Sequence, residues 1–381
     1  MKSLLRPSLF LSVFGFLCLY SSPVSAQFAT GNLVVLNVGD VDPLGDFTAK
    51  AVLKQFNTSS LNQTASHTFD LTANTTTGNS NEFFLTGNSV SEGSLTFNYH
   101  HSTLALAGYL AAPGDSTASA SSGIANRITL NVNLAGSGGN GLVSQTNTTN
   151  TNFSNSSING AVTSAGTTWA VGGNTGVVTY PGDSVVSSTV TSINKIDMFN
   201  NNLYFSSSSG STRGIYQLGT GFPTAGGTVS TNVIDTGSTS SSRGFVINST
   251  GTVAYIADDR DTTNGGGIQK WTFDGTSWTL AGVFTNLDGT VGAKGLAVEF
   301  VGPNPILYAT TASVDANKLI KLIDTGDFAA SSTVLATADA NNGFRDVVIY
   351  TPTPEPTAVL ALSGLGLLAF GGWRIRFRKH A

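Results

Sequence analysis

The stretch Asp258-Asp259-Arg260-Asp261-Thr262-Thr263-Asn264-Gly265 is the part of this 381-residue chain best suited to chemistry. It follows a strand-like run over 253–257, and its oxygen donors end on a glycine. A hard cation such as Ca²⁺ takes roughly six to eight oxygen ligands, so Asp258, Asp259 and Asp261 are the candidate metal ligands and calcium the candidate cofactor. Counted from Asp259, the twelfth position is Lys270 rather than the glutamate of an EF-hand loop. The competing reading is a structural turn, with Asx hydrogen bonds and Arg260 paired to its acidic neighbours. Asp40, Asp42 and Asp46 form a second acidic group after the apolar run 33–38.

Other reactive groups are scarce. The histidines are His67, His100, His101 and His380, and the only cysteine is Cys18. His100 and His101 fall at an expected hairpin, where neighbouring residues point to opposite faces and chelate poorly; a solvated turn is the better reading. No His-Glu-x-x-His, Gly-x-Ser-x-Gly or P-loop pattern occurs, so no catalytic residue is assigned. Trp169, Trp271 and Trp278 could stack on sugars if exposed, but core filling is favoured.

The elements that must position such residues repeat. Arg243-Gly244-Phe245-Val246-Ile247 returns as Lys294-Gly295-Leu296-Ala297-Val298 and again as Arg345-Asp346-Val347-Val348-Ile349, both times after 51 residues. That interval is near the ~50 residues of kelch-type blades. Each period holds four strand-like runs, 245–248, 253–257, 268–273 and 278–283 in one, 296–300, 306–310, 319–323 and 333–336 in the next. The scheme continues more loosely backwards through 195–235, 161–190 and 95–145. Four strands joined by Gly/Ser/Asn turns make a β-propeller blade. After 345–350 no further strand follows, while 33–38, 51–56 and 67–71 lack an inner partner. One blade shared between the termini would close the ring and hide both edges. The expected fold is an all-β propeller of six blades, with seven as the alternative because 72–159 is uneven. Residues 146–159 read as a long surface loop.

The ends carry an address. Lys2 and Arg6 precede an apolar segment over 9–20, and Val24-Ser25-Ala26 suits signal-peptidase cleavage between Ala26 and Gln27. This predicts a signal peptide over 1–26, formed as a helix, and a propeller body over 27–351. At the other end stand Pro354-Glu355-Pro356, sixteen uncharged residues over 358–373, then Arg374, Arg376, Arg378 and Lys379. As a helix that run would reach about 24 Å, short of a ~30 Å hydrocarbon core, and flanking arginines can extend it by snorkelling. Basic residues beside a membrane segment stay cytoplasmic, leaving the body outside. The order of these parts, over 352–381, resembles the PEP-CTERM sorting signal of Gram-negative bacteria. The resemblance implies that an exosortase-type membrane protease cuts near Pro354, Glu355 and Pro356, with the four basic residues as the stop. Stretches such as Glu92-Gly93-Ser94-Leu95 with Leu106-Ala107-Gly108-Tyr109, Tyr204-Phe205-Ser206-Ser207 and Gly267-Ile268-Gln269-Lys270-Trp271 make the body similar to secreted propeller proteins that carry this tail, a likeness that implies no known activity.

Between Gln27 and Thr353 the chain has 12 basic and 21 acidic residues, a net charge of −9, which argues against nucleic acid as a partner. With Cys18 in the leader, disulfides and thiolate metal sites are excluded from the mature body. The expected function is that of an exported cell-surface or matrix protein. It would be anchored transiently in the inner membrane, then released or retained among extracellular polysaccharide or biofilm, as a non-enzymatic binding or structural component. The alternative is a propeller hydrolase or lyase acting on extracellular carbohydrate or lactone, with a metal in its central channel.

Overall fold

A computed structural model describes residues 28–72, 83–98, 103–111, 114–115, 126–134, 142–148, 152–211 and 213–351. The signal helix, the short C-terminal transmembrane helix over 358–373, His100 and His101 fall outside the described residues. Among the described residues no helix is long and apolar enough to cross a membrane.

The described chain is almost wholly β. Its strands are β1 (Leu33–Gly39), β2 (Thr48–Phe56), β3 (His67–Asp70), β4 (Phe83–Thr86), β5 (Thr96–Phe97), β6 (Thr103–Leu110), β7 (Asn126–Asn133) and β8 (Leu142–Thr148). There follow β9 (Ile158–Ser164), β10 (Thr167–Gly172), β11 (Val177–Tyr180), β12 (Ser184–Ser187), β13 (Ile193–Phe199), β14 (Asn202–Ser207), β15 (Gly214–Leu218) and β16 (Ser230–Asp235). The last are β17 (Ser242–Ile247), β18 (Val253–Asp258), β19 (Gly267–Phe273), β20 (Trp278–Phe284), β21 (Ala293–Glu299), β22 (Ile306–Thr311), β23 (Lys318–Ile323), β24 (Thr333–Thr337) and β25 (Asn342–Ile349). From β9 to β24 they form four antiparallel four-stranded sheets, each a run of neighbours in sequence. Tight turns make this possible. Asn200 and Asn201, at φ 50° and 60°, join β13 to β14 in the left-handed geometry of a two-residue hairpin, which asparagine tolerates.

The termini meet as the sequence pattern requires. β25 pairs antiparallel with β1, Leu33 opposite Ile349 and Val35 opposite Val347, and β1 pairs in turn with β2 and β2 with β3. One strand escaped the sequence reading. β4 pairs with the first half of β2 through Phe84 to Thr86 and with the end of β6 through Phe83 and Phe84. It thereby joins the terminal group to β5 through β8 in one nine-stranded sheet.

Apolar burial lies between successive sheets rather than in one central mass. Tyr109 from β6 packs with Phe153, Ile158, Ala170 and Tyr180 of the β9–β12 sheet. That sheet's Trp169 and Val177 pack with Phe205 and Tyr216 of the next, whose Ile215 and Ile234 meet Phe245 and Trp271. Tyr255 and Ile268 then meet Leu307 and Ile320, and Tyr308 and Leu335 meet Leu33, Phe56 and Val347 of the terminal sheet. This lets a chain too long for one core distribute its burial. The segment over 146–159 differs from the expected surface loop. β8 runs to Thr148, Phe153 is fully buried, and Ile158 and Asn159 already belong to β9. Phe153 and Ile158, five apart in an otherwise polar stretch, pack in the same core cluster as Tyr109 and Tyr180.

Candidate functional site on the central axis

The first strands of the sheets lie side by side. β9 packs on β13, β13 on β17, β17 on β21 and β21 on β25, and β5 packs on β9. The circuit closes where the Leu95 amide donates to Asp346 Oδ2 at 2.8 Å and the Phe97 and Tyr350 rings stack. Such approach needs small residues. A Cβ on Gly160 would meet Ser94 Oγ, one on Gly244 would come 2.8 Å from the Lys294 carbonyl, and one on Gly295 2.6 Å from Asp346 Cα. Between these strands Asn159 Nδ2 donates to the Ile193 carbonyl and Asn194 Nδ2 to the Ser242 carbonyl, each at 2.7 Å.

Charged residues at matching positions of these strands converge on the axis. Lys195, Arg243, Lys294, Arg345, Glu92 and Asp346 line one cavity of about 20 Å³. Asp346 is a junction. Its carboxylate accepts from Lys195 Nζ at 2.8 Å and from the amides of Leu95, Leu296 and Val347. Burial works against the charge on Lys195. The carboxylates of Asp346 and Asp197 and the bond to Asp346 outweigh it and raise its pKa above the lysine norm. Glu92 accepts from the Thr86 amide, the Thr86 hydroxyl and the Tyr109 hydroxyl; burial holds its pKa above the usual carboxylate range in spite of them.

The cations are less well matched. Arg243 reaches Asp259 at 2.7 Å and Asn194 Oδ1 at 2.5 Å. Lys294 Nζ donates to the Ser313 carbonyl at 2.9 Å, and burial followed by the proximity of Arg345 puts its pKa well below the ordinary value. Arg345, only 3% exposed, donates from Nη2 to the Gly87 carbonyl, while Nε and Nη1 find no acceptor among the described residues. Burial lowers its pKa to about 10. These residues served the sequence reading only as repeat markers. The signal was a basic residue at the head of each period, which a closed ring must bring to its centre.

At the other end of the same strands a wider funnel of about 370 Å³ opens between Phe97, Val246, Val298 and Val348, with Asp197 and Glu299 on its wall and Gly31 and Thr351 on its rim. Asp197 is half-buried, and burial pushes its pKa up to about 6 against the pull of Lys195.

The sequence candidates lie elsewhere. Asp258 is fully buried at the end of β18, and its carboxylate accepts from Ser240 Oγ, the Ser241 amide, Arg260 Nε and Nη2, and Gln269 Nε2. Asp259 points to Arg243 instead, and Asp261 is exposed before the 3₁₀ turn Thr262–Asn264. Among the described residues no three His, Cys, Asp or Glu side chains gather closely enough to hold a metal. Asp40 and Asp42 line a separate cavity of about 780 Å³ with Phe47, Lys50 and Asp70, while Asp46 bonds Asn88. His67 sits edge-on to Phe28 with its pKa lowered by burial. Trp169 and Trp271 are buried and donate to the Pro223 carbonyl and to Gln269 Oε1, and Trp278 packs half-buried in the cluster that holds Trp271, against Phe273.

Residues 352–379 match the PEP-CTERM protein-sorting motif. The chain therefore carries an export and membrane-anchoring sorting signal at its C-terminus, of the kind processed by exosortase. No curated protein matches the chain. Among solved structures it is similar to a protein from Lactobacillus plantarum, at 11% identity over 81% of this chain and 82% of that one, TM-score 0.44. It is also similar to the periplasmic gluconolactonase PpgL of Pseudomonas aeruginosa, at 13% identity over 81% and 83%, TM-score 0.39. A functionally unknown protein from Desulfotomaculum acetoxidans aligns at 13% identity over 84% and 90%, TM-score 0.42.

Proposed function

We propose that residues 27–351 form a six-bladed propeller exported behind the signal peptide 1–26, which signal peptidase removes before Gln27. Residues 358–373 then hold it in the inner membrane, with Arg374, Arg376, Arg378 and Lys379 as the cytoplasmic stop. Exosortase-type cleavage at Pro354, Glu355 and Pro356 delivers it to the cell surface. There it acts as a binding or structural component among extracellular polysaccharides. The observation that carries this reading is the use made of Asp346: the acid best placed for axial chemistry is engaged instead in tying β13, β21 and the approach to β5 onto β25. Fractionation of the native host, with mass spectrometry of the mature C-terminus, tests the route. A surface form ending near Pro356 is expected, and replacing Pro354, Glu355 and Pro356 by alanine should strand the chain in the inner membrane. An intact Arg374 to Ala381 tail on the surface protein would overturn it. Co-sedimentation of the mature protein with the host's extracellular polysaccharide tests the partner, and absence of binding would remove that part alone.

A hydrolase or lyase acting on carbohydrate or lactone is the second reading. It is favoured by one observation, the raised pKa of Asp197 in the funnel wall, since a carboxyl near 6 suits general acid or base work. Turnover of such substrates that is lost in Asp197→Asn would support it. Calcium at Asp258, Asp259 and Asp261 would require Arg260 and Arg243 to release two of the three carboxylates.

A further inference from the structure

We propose that the small cavity on the axis holds one monovalent anion of halide size, bound between Arg345 and Lys294. This inference is independent of the polysaccharide partner and of the sorting route. Three observations carry it. The first is that two of the basic residues lining the cavity have no contact ion pair among the described residues. Lys195 is matched by Asp346 and Arg243 by Asp259, which leaves Arg345 and Lys294 with Glu92 as the remaining acid lining the cavity. Glu92 is surrounded by donors from Thr86 and Tyr109; it acts on Arg345 through space but makes no contact ion pair with either basic residue among the described residues.

The second is an unmet demand for acceptors. Arg345 is buried with Nε and Nη1 lacking any partner among the described residues, and Lys294 Nζ has one neutral partner, the Ser313 carbonyl. A buried guanidinium with two idle donors is costly unless an acceptor reaches it, and an anionic acceptor also offsets the charge. The third is size. A cavity of about 20 Å³ has room for one small body, about the size of a water or a halide. Water would supply an acceptor but no charge, so it answers only the second observation.

The test uses the full chain purified in detergent. Thermal unfolding is followed in sodium chloride, sodium bromide, sodium sulfate and sodium gluconate at equal ionic strength. Chloride and bromide should raise the midpoint by roughly 2–4 °C over gluconate, along a saturating curve of halide concentration. Sulfate should give no increment beyond gluconate. Lys294→Met should abolish the halide increment, and crystals grown in bromide should show an anomalous peak within hydrogen-bond reach of Arg345 Nε or Nη1. The crystallographic arm stands even where a variant does not fold. Equal midpoints in chloride and gluconate, an increment confined to sulfate, a halide increment that survives Lys294→Met, or a peak without anomalous signal would each overturn the proposal.

Discussion

Lys195 Nζ and Asp346 Oδ2 stand 2.8 Å apart although 151 residues separate them, and both side chains are almost fully buried. Their contact joins β13 to the strand that closes the ring. Breaking a buried pair from one side strands the other charge, at a cost of about 3–5 kcal/mol. Asp346→Asn and Lys195→Met should each lower stability by that order in urea unfolding. The combined Lys195→Met, Asp346→Leu variant should lose less than the sum. Additive losses would show that the two groups do not act on each other.

Closure by β25 makes a second prediction. A chain ending before Asn342 leaves the β1 edge bare from Leu33 to Gly39, every residue of it buried in the intact protein and all but Asn37 and Gly39 carrying an apolar side chain. Bare edges recruit other chains. The truncated protein should elute as aggregates and lack a cooperative melt; a monomer with an unchanged melting curve would contradict the pairing.

The close approach of first strands makes a third. Gly295→Val would push a side chain into the backbone of Arg345 and Asp346. Overpacking of this kind costs about 1–3 kcal/mol or more. Circular dichroism melts of Gly295→Val and Gly244→Val should both fall by several degrees.

Asp197 makes a prediction in pH. Its pKa is raised from 3.8 to about 6, so the folded protein holds that proton more tightly than the unfolded chain. Below the unfolded value the group contributes nothing; between pH about 4 and 6 it becomes increasingly destabilising, and above that the penalty is constant. Asp197→Asn should therefore match the parent at pH 4 and exceed it by about 1–2 kcal/mol at pH 7, the figure being reduced for partial exposure. A gap that widens toward low pH would refute the assignment.

Asp258 gives the last. With six donors around it and Arg260 in bidentate contact, the carboxylate is already satisfied. Asp258→Ala should cost about 3–4 kcal/mol by leaving Arg260 and Ser240 unmatched. Millimolar Ca²⁺ or a chelator should leave the melting midpoint of the parent within error, and a rise with Ca²⁺ would restore the metal reading of this loop.

Much of the strand order was legible because one period repeats. The runs after Phe245 and Leu296 coincide with β17 through β24 to within a few residues, and the terminal pairing follows from counting strands per period. β4 was not legible: Phe83 to Thr86 is a short run of three apolar residues and a threonine whose partners are the halves of β2 and β6 left free by β3 and β5, a relationship that exists only in three dimensions. The axial cluster was hidden differently. Arg243, Lys294 and Arg345 stood in plain view as the heads of repeats, yet nothing local says that equivalent positions meet. The acidic loop misled for the opposite reason, since its oxygens look free in sequence and are claimed by Arg260 from within and Arg243 from a neighbouring strand.

Thr351 leaves the body at the funnel rim beside Gly31, and Pro354 is three residues further on. Fully extended, three residues span roughly 10 Å. On the proposed route, a protease acting near Pro354 would work within roughly 10 Å of that face, between the funnel mouth and the bilayer. On the proposed route, release from the tail would also take the protease away from the funnel mouth.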